Sequence, residues 1–173
     1  MRRRILVLLF LILFPAWSAP VHAAGKFFVG GGLGFGFGDV TYMDLSGMLG
    51  YRISPRWTAG LRVTYRNRTD KRFTDEVTTN DYGASLFARF RIKGPWYLQG
   101  EYEHLNYEFV RFDSSTERES FSSVLVGGGV AQPIGKNASI FATALYNLSY
   151  DSSELRSPYD NPFILRVGIG FYF

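Results

Sequence analysis

The chain has 173 residues, with 19 Lys and Arg against 15 Asp and Glu for a formal charge of +4, and 17% of its residues are aromatic. It contains no cysteine, which excludes a disulfide scaffold, a thiolate metal site and a cysteine nucleophile. Mean hydropathy is close to zero, a value that also results when apolar and polar residues alternate along strands and cancel in the average.

The first element is a leader. Arg2, Arg3 and Arg4 precede an apolar stretch from Ile5 to Phe14, Pro15 breaks it, and Val21-His22-Ala23 supplies the small-residue spacing of a secretory cleavage site. The apolar stretch is well short of the roughly 20 residues a spanning helix needs, and no later stretch is longer. Cleavage is expected after Ala23, dividing the chain into a signal peptide (1–23) and one domain (24–173). The leader's three arginines carry three of the four formal positive charges. The mature part is therefore nearly neutral, and no nucleic-acid partner is expected.

Eight segments with period two follow, and period two means strands. From Lys26 to Gly38, Phe27, Val29, Leu33, Phe35 and Phe37 share a face opposed mainly by glycines. The second segment sets Thr41, Met43, Leu45, Leu49, Tyr51 and Ile53 against Tyr42, Asp44, Ser46 and Arg52. A third sets Trp57, Ala59, Leu61, Val63 and Tyr65 against Thr58, Gly60, Arg62, Thr64 and Arg66. In the fourth, Tyr82, Ala84, Leu86, Ala88, Phe90 and Ile92 oppose Asp81, Ser85, Phe87, Arg89 and Arg91.

The fifth, from Trp96 to about Val110, has Trp96, Leu98 and Tyr102 against Gln99, Glu101 and Glu103, but its parity blurs through His104, Leu105 and Tyr107. A β-bulge or an early exit from the bilayer would account for that. The sixth, about Phe121 to Ala131, is glycine-rich, with Val124, Val126 and Val130 read as one face. The seventh aligns Ile140, Ala142, Ala144, Tyr146, Leu148 and Tyr150; the eighth aligns Phe163, Leu165, Val167, Ile169, Phe171 and Phe173 against Arg166 and glycines. Register in the fifth and sixth segments stays open.

Connections alternate between short ones, at 54–56, 93–95 and 132–137, and longer charged ones at about 67–80, 111–120 and 151–161. The tight Gly38-Asp39 is the exception. This alternation predicts an all-β, eight-stranded antiparallel up-and-down transmembrane barrel with both mature termini on the short-turn side. Aromatics on the apolar faces gather at both strand ends: Phe27, Tyr51, Trp57, Trp96 and Phe173 at one, and Phe37, Tyr65, Tyr82, Tyr150 and Phe163 at the other. Two such girdles mark the two bilayer interfaces. A soluble ligand-binding barrel would have the opposite polarity.

Eight strands enclose a lumen that side chains just fill. Asp44, Arg62, Arg66, Arg89, Arg91, Glu101, Glu103 and Arg166 are expected to form a lumen charge network. Counting outward from the short turns puts Arg89 near Glu101, Asp44 near Arg66, Arg166 over Gly34 and Phe141 over Gly129.

A Phe173 preceded by alternating Phe171 and Ile169 resembles the signature read by the outer-membrane barrel-assembly machinery. The layout as a whole resembles the small OmpX- and OmpA-type barrels of the outer-membrane β-barrel superfamily. The resemblance implies an outer-membrane location, lipid and lipopolysaccharide as surroundings and periplasmic chaperones during biogenesis; with His104 the one histidine of residues 24–173, a monomer without enzymatic activity, cofactor or metal is expected. It implies one enzymatic alternative too. Small barrels that deacylate lipid A use an outward His and Ser; here His104-Leu105-Asn106 offers no hydroxyl two residues along, so a serine would have to come from another strand. Narrow passive conductance is the other alternative. The glycine run at 30–38 does not fit G-x-G-x-x-G in any register and no helix follows it. The loop acids Asp70, Asp75, Glu76, Asp81, Asp113, Glu117 and Glu119 are interspersed with arginines and lysines, the pattern of a solvated mixed-charge loop.

Overall fold

A computed structural model describes residues 25–71, 77–110, 116–151 and 157–173; the expected signal peptide lies outside the described residues, as do parts of all three longer loops. The described residues form β1 (Phe27–Gly36), β2 (Val40–Arg52), β3 (Trp57–Asp70), β4 (Val77–Lys93), β5 (Trp96–Val110), β6 (Thr116–Pro133), β7 (Ala138–Asn147) and β8 (Phe163–Tyr172). Successive strands pair antiparallel, and β1 pairs with β8 from Phe28↔Tyr172 to Phe35↔Leu165, closing the sheet into a barrel. The Phe173 amide donates to the Phe27 carbonyl at 2.9 Å, so the two ends of the barrel domain meet at the short-turn end.

Alternation decides which face is outside. Leu61 and its register partner Leu86 are 53% and 60% exposed, whereas Arg62, the next residue of β3, is 1% exposed. Apolar side chains thus cover the outer wall and charged ones are enclosed, the reverse of a water-soluble barrel. Aromatic pairs sit at both margins of this belt: Phe27 with Tyr51 (4.9 Å between centroids) and Trp57 with Phe90 (5.0 Å) at the short-turn end, Tyr65 with Tyr82 (5.8 Å) and Tyr146 with Phe163 (5.2 Å) at the other.

Several expectations need correction. Tyr150 is not in the girdle. β7 ends at Asn147, the chain turns, and the Tyr150 ring packs inward against the Tyr42–Tyr159 cluster while its hydroxyl donates to the Asp160 carbonyl at 2.7 Å. Strands β3, β4 and β6 run well into segments read as loops, and across the β3–β4 ladder polar side chains pair there: Asn67 Nδ2 donates to Asn80 Oδ1 at 3.1 Å, and the Thr69 and Thr78 hydroxyls meet at 3.3 Å.

The parity blur in β5 is no bulge, since β5 and β6 pair without a shift from Trp96↔Val130 to Val110↔Thr116. At its far end the exposed face carries His104 and Asn106 while Leu105 and Tyr107 are buried, as for a strand that has passed the apolar belt. The irregularity lies in β4 instead, between Arg91 and Lys93, beside the turn at Gly94 (φ 57°).

Two pairings therefore differ from the counted ones. The extra residue sets Arg89 opposite Gln99 rather than beside Glu101. In the β6–β7 turn, Gly135 at φ 88° lets pairing continue to Pro133↔Ser139, which slides Phe141 two residues along to face Ala131 on one side and Gly168 on the other. A Cβ at Gly168 would run into the Phe141 ring, so large still faces small, with a different glycine.

Leu61 lies mid-way along the exposed face of β3. Leu61→Arg is expected to lower folding stability in lipid vesicles by about 2–4 kcal/mol, the cost of an arginine facing the bilayer centre. Equilibrium unfolding by urea measures it; an unchanged midpoint means that this face does not meet acyl chains.

Candidate functional site

Along three strands the inward residues follow one order. On β2, Tyr42 is followed by Asp44 and Ser46 and then Met48; on β7, Leu145 by Thr143 and then Phe141; on β8, Ile164 by Arg166 and finally Tyr172. An apolar layer of Tyr42, Leu125, Leu145, Tyr159 and Ile164 therefore closes the long-loop side. A second, of Phe28, Met48, Phe87 and Phe141 with Ala131 and Tyr172 against it, closes the short-turn side. Six charged groups lie between them.

Three arginines and three carboxylates make up that middle layer. Arg166 Nη1 donates to Glu101 Oε1 at 2.6 Å and its Nη2 to Glu103 Oε2 at 2.9 Å. Arg66 Nη2 stands 3.4 Å from Asp44 Oδ2 and 3.9 Å from Glu103 Oε2, and Arg62 Nε 3.8 Å from Glu101 Oε1. Neutral groups complete the coordination: the Ser85 hydroxyl (2.6 Å) and Gln99 Nε2 (2.7 Å) both donate to Glu101. The layer is neutral in sum, which burial at this depth requires, because an unpaired buried charge costs several kcal/mol.

Glycines make this packing possible. Arg166 stands opposite Gly34 in register, and a Cβ at Gly34 would run into the Asp44 carboxylate.

Of the eight residues the sequence points to, Asp44, Arg62, Arg66, Glu101, Glu103 and Arg166 come together. Arg89 stands apart on the short-turn side, where its Nε donates to Gln99 Oε1 at 2.7 Å and its guanidinium lies about 5 Å from the Phe87, Tyr97 and Phe141 rings. Arg91 is exposed and does not belong to the network, since it lies at the strand end next to the β4 irregularity.

Sequence reasoning missed Tyr159, from the segment between β7 and β8. It reaches into the barrel, its hydroxyl donating to Glu103 and accepting from Arg66 Nη2 at 3.2 Å. No local pattern marks a tyrosine in a long loop as a lumen residue. The inward Arg68–Asp81 pair (3.0 Å) was missed for a simpler reason, as both residues fell in or beside a segment read as loop.

On the outer wall, His104 Nδ1 and the Ser122 hydroxyl lie 3.0 Å apart across β5 and β6. Ser122 is the cross-strand serine that no motif reveals, because only the β5–β6 register brings it beside His104. Above them Arg118 is held flat by Asn106 Oδ1 (3.2 Å) and the Tyr82 ring (4.7 Å). The described residues contain no group of three His, Asp or Glu able to hold a metal ion; Asp75, Glu76 and Asp113 lie outside them.

This geometry has known counterparts. The N-terminal β-barrel domain of OprF from Pseudomonas aeruginosa superimposes with a TM-score of 0.54 at 18% identity, covering 86% of this chain and 99% of that one. The outer membrane protein Ail of Yersinia pestis, solved in a phospholipid nanodisc, gives 0.54 at 16% identity with the same coverage. The chain has the fold of a small outer-membrane barrel. No protein-family model matches the sequence, and no curated protein does.

In a barrel of this kind the middle layer is the weak point if one member is lost. Glu101→Ala leaves Arg62 and Arg166 buried without their shared carboxylate and is expected to cost about 3–5 kcal/mol of unfolding free energy. Arg91→Ala, at an exposed site, is expected to change it by less than about 0.5 kcal/mol. Urea midpoints of the refolded variants measure both.

Proposed function

We propose that residues 24–173, released from a signal peptide cleaved after Ala23, form an integral protein of the bacterial outer membrane. Its role is envelope structure or surface interaction through the loops at its far end, and not transport. The observation that supports this best is the filled lumen, where three arginines and three carboxylates are buried against one another with an apolar cluster packed on either side. Eight strands enclose a lumen that side chains just fill, so an ion crossing it would have to displace buried, paired side chains.

On this reading the barrel works as a monomer without cofactor. It sits among phospholipid and lipopolysaccharide, after delivery by periplasmic chaperones and insertion by the barrel-assembly machinery. Phe171 and Phe173 lie exposed on the outer wall of the closing strand, with the half-buried Ile169 on the same face, where such an assembly signal is accessible before closure. Purified protein in a planar bilayer is expected to give no unitary conductance steps. Reproducible steps that disappear on boiling would show a channel instead.

A second reading has one observation in its favour. The His104–Ser122 contact on the outer wall is the geometry of a serine nucleophile beside a base, and such a pair would act on acyl esters of lipid A. Among the described residues no carboxylate hydrogen-bonds to His104, and its neighbour Glu103 points into the lumen. Incubation with lipopolysaccharide and mass spectrometry of released fatty acids tests it. Our first reading expects none; release abolished by Ser122→Ala would establish the second.

A further inference from the structure

The two ends of the barrel differ in charge. The short-turn end comprises residues 25–28, 50–58, 89–97, 130–139 and 170–173, and these contain no Asp or Glu at all. At its rim stand Lys26, Arg52, Arg56, Arg91, Lys93 and Lys136, with Arg52 half-buried and the others exposed. Among the described residues, acidic side chains lie in the lumen layer and toward the long-loop end.

Main-chain bonds bring these cations together in pairs. The Arg52 amide donates to the Lys26 carbonyl at 2.6 Å, and the Arg91 amide to the Arg56 carbonyl at 2.8 Å. Like charges held side by side repel, which disfavours the fold unless an anion lies between or beside them. For Arg56 and Arg91, residues 50–58 and 89–97 offer no Asp or Glu that could supply one. The depth of the rim identifies what can. Arg52 follows the girdle residue Tyr51, Arg56 precedes Trp57, and Lys93 is in register with Trp96. Girdle aromatics mark the bilayer interface, so the cations one or two residues beyond them lie level with phospholipid headgroups.

We propose that the short-turn rim is a binding collar for anionic phospholipid headgroups of the leaflet it faces, recognising the phosphate and its net negative charge. The proposal rests on the membrane-spanning reading above, and it adds a lipid preference that this reading does not require. Basic groups at a membrane surface attract anionic lipid within a Debye length. A collar of six would hold a local annulus of such lipid under the barrel, neutralising the repulsion built into the rim.

The protein carries its own reporters. Trp57 and Trp96 are the tryptophans of residues 24–173, and both stand exposed on the outer wall at this rim. The refolded domain is placed in vesicles of equal parts phosphatidylcholine and phosphatidylglycerol, with brominated acyl chains on one lipid at a time. Quenching by brominated phosphatidylglycerol is expected to exceed that by brominated phosphatidylcholine, with relative association about fivefold in favour of the anionic lipid. The preference should fall toward unity in the Arg56→Gln/Arg91→Gln/Lys93→Gln variant, and also at about 1 M salt, where the Debye length is near 3 Å.

Equal quenching by the two lipids in the parent protein overturns the proposal. So does a preference that the triple variant keeps. If soluble polyphosphate, added to the protein in pure phosphatidylcholine vesicles, produces the only response that depends on these three residues, the rim serves an aqueous polyanion and the collar is refuted. A heat-dependent shift in gel mobility, run on the same samples, reports separately whether the membrane barrel has formed.

Discussion

Closure by β1 and β8 is the constraint on which everything else depends. A hydrocarbon environment offers no partner to a peptide N–H or C=O, so a sheet can cross it only when the last strand pairs with the first. Here that seam runs through eight register pairs from Phe28↔Tyr172 to Phe35↔Leu165. Once the sheet closes on eight strands, the space inside is fixed at about the volume of the inward side chains. The inward face must then fill that space, and the outward face must suit lipid.

The two requirements explain the composition of each strand. Outward positions carry Leu, Val and aromatics at exposures that would be costly in water, and inward positions can be polar because the partners they need stand across a narrow lumen. Arginine is the residue best suited to this, since one guanidinium reaches two carboxylates: Arg166 bridges Glu101 and Glu103, and Arg66 bridges Asp44 and Glu103. Small residues opposite, such as Gly34, give those long side chains room. Neutrality of the layer and the apolar clusters on either side of it are parts of one solution, in which most buried charge stands against opposite charge.

Most of this was legible in the sequence because the constraint is periodic. Wherever one face meets lipid and the other a filled lumen, the alternation is strong, and β2, β3 and the belt portion of β4 are plain to read. Legibility fails where the alternation stops bearing on lipid. Beyond the belt, at Asn67 to Asp70 or Thr116 to Ser120, both faces are polar and strand resembles loop. Tyr150 keeps the parity of β7 by coincidence after the strand has ended.

Contacts between strands were legible only as far as the turns could be counted. The irregularity at Arg91/Lys93 and the tight turn at Gly135 each move a register by a residue or two, enough to exchange Glu101 for Gln99 as the partner of Arg89. The His104–Ser122 contact was hidden for the same reason, and Tyr159 because a loop residue's place in a lumen has no local signature. Membership of the middle layer, by contrast, followed from parity alone, so six of its charged residues could be named without any register.

Site-directed spin labelling tests the central claim, that apolar side chains face acyl chains and polar ones a filled interior. The chain has no native cysteine, so Val63→Cys and Thr64→Cys each provide one unique site on adjacent residues of β3. In vesicles, a nitroxide at position 63 should collide readily with oxygen, which partitions into acyl chains, and one at position 64 should be immobile and reached by neither oxygen nor a water-soluble nickel chelate. A label at 64 that collides with oxygen, or one at 63 that collides with the chelate, would mean the faces are reversed and the account wrong.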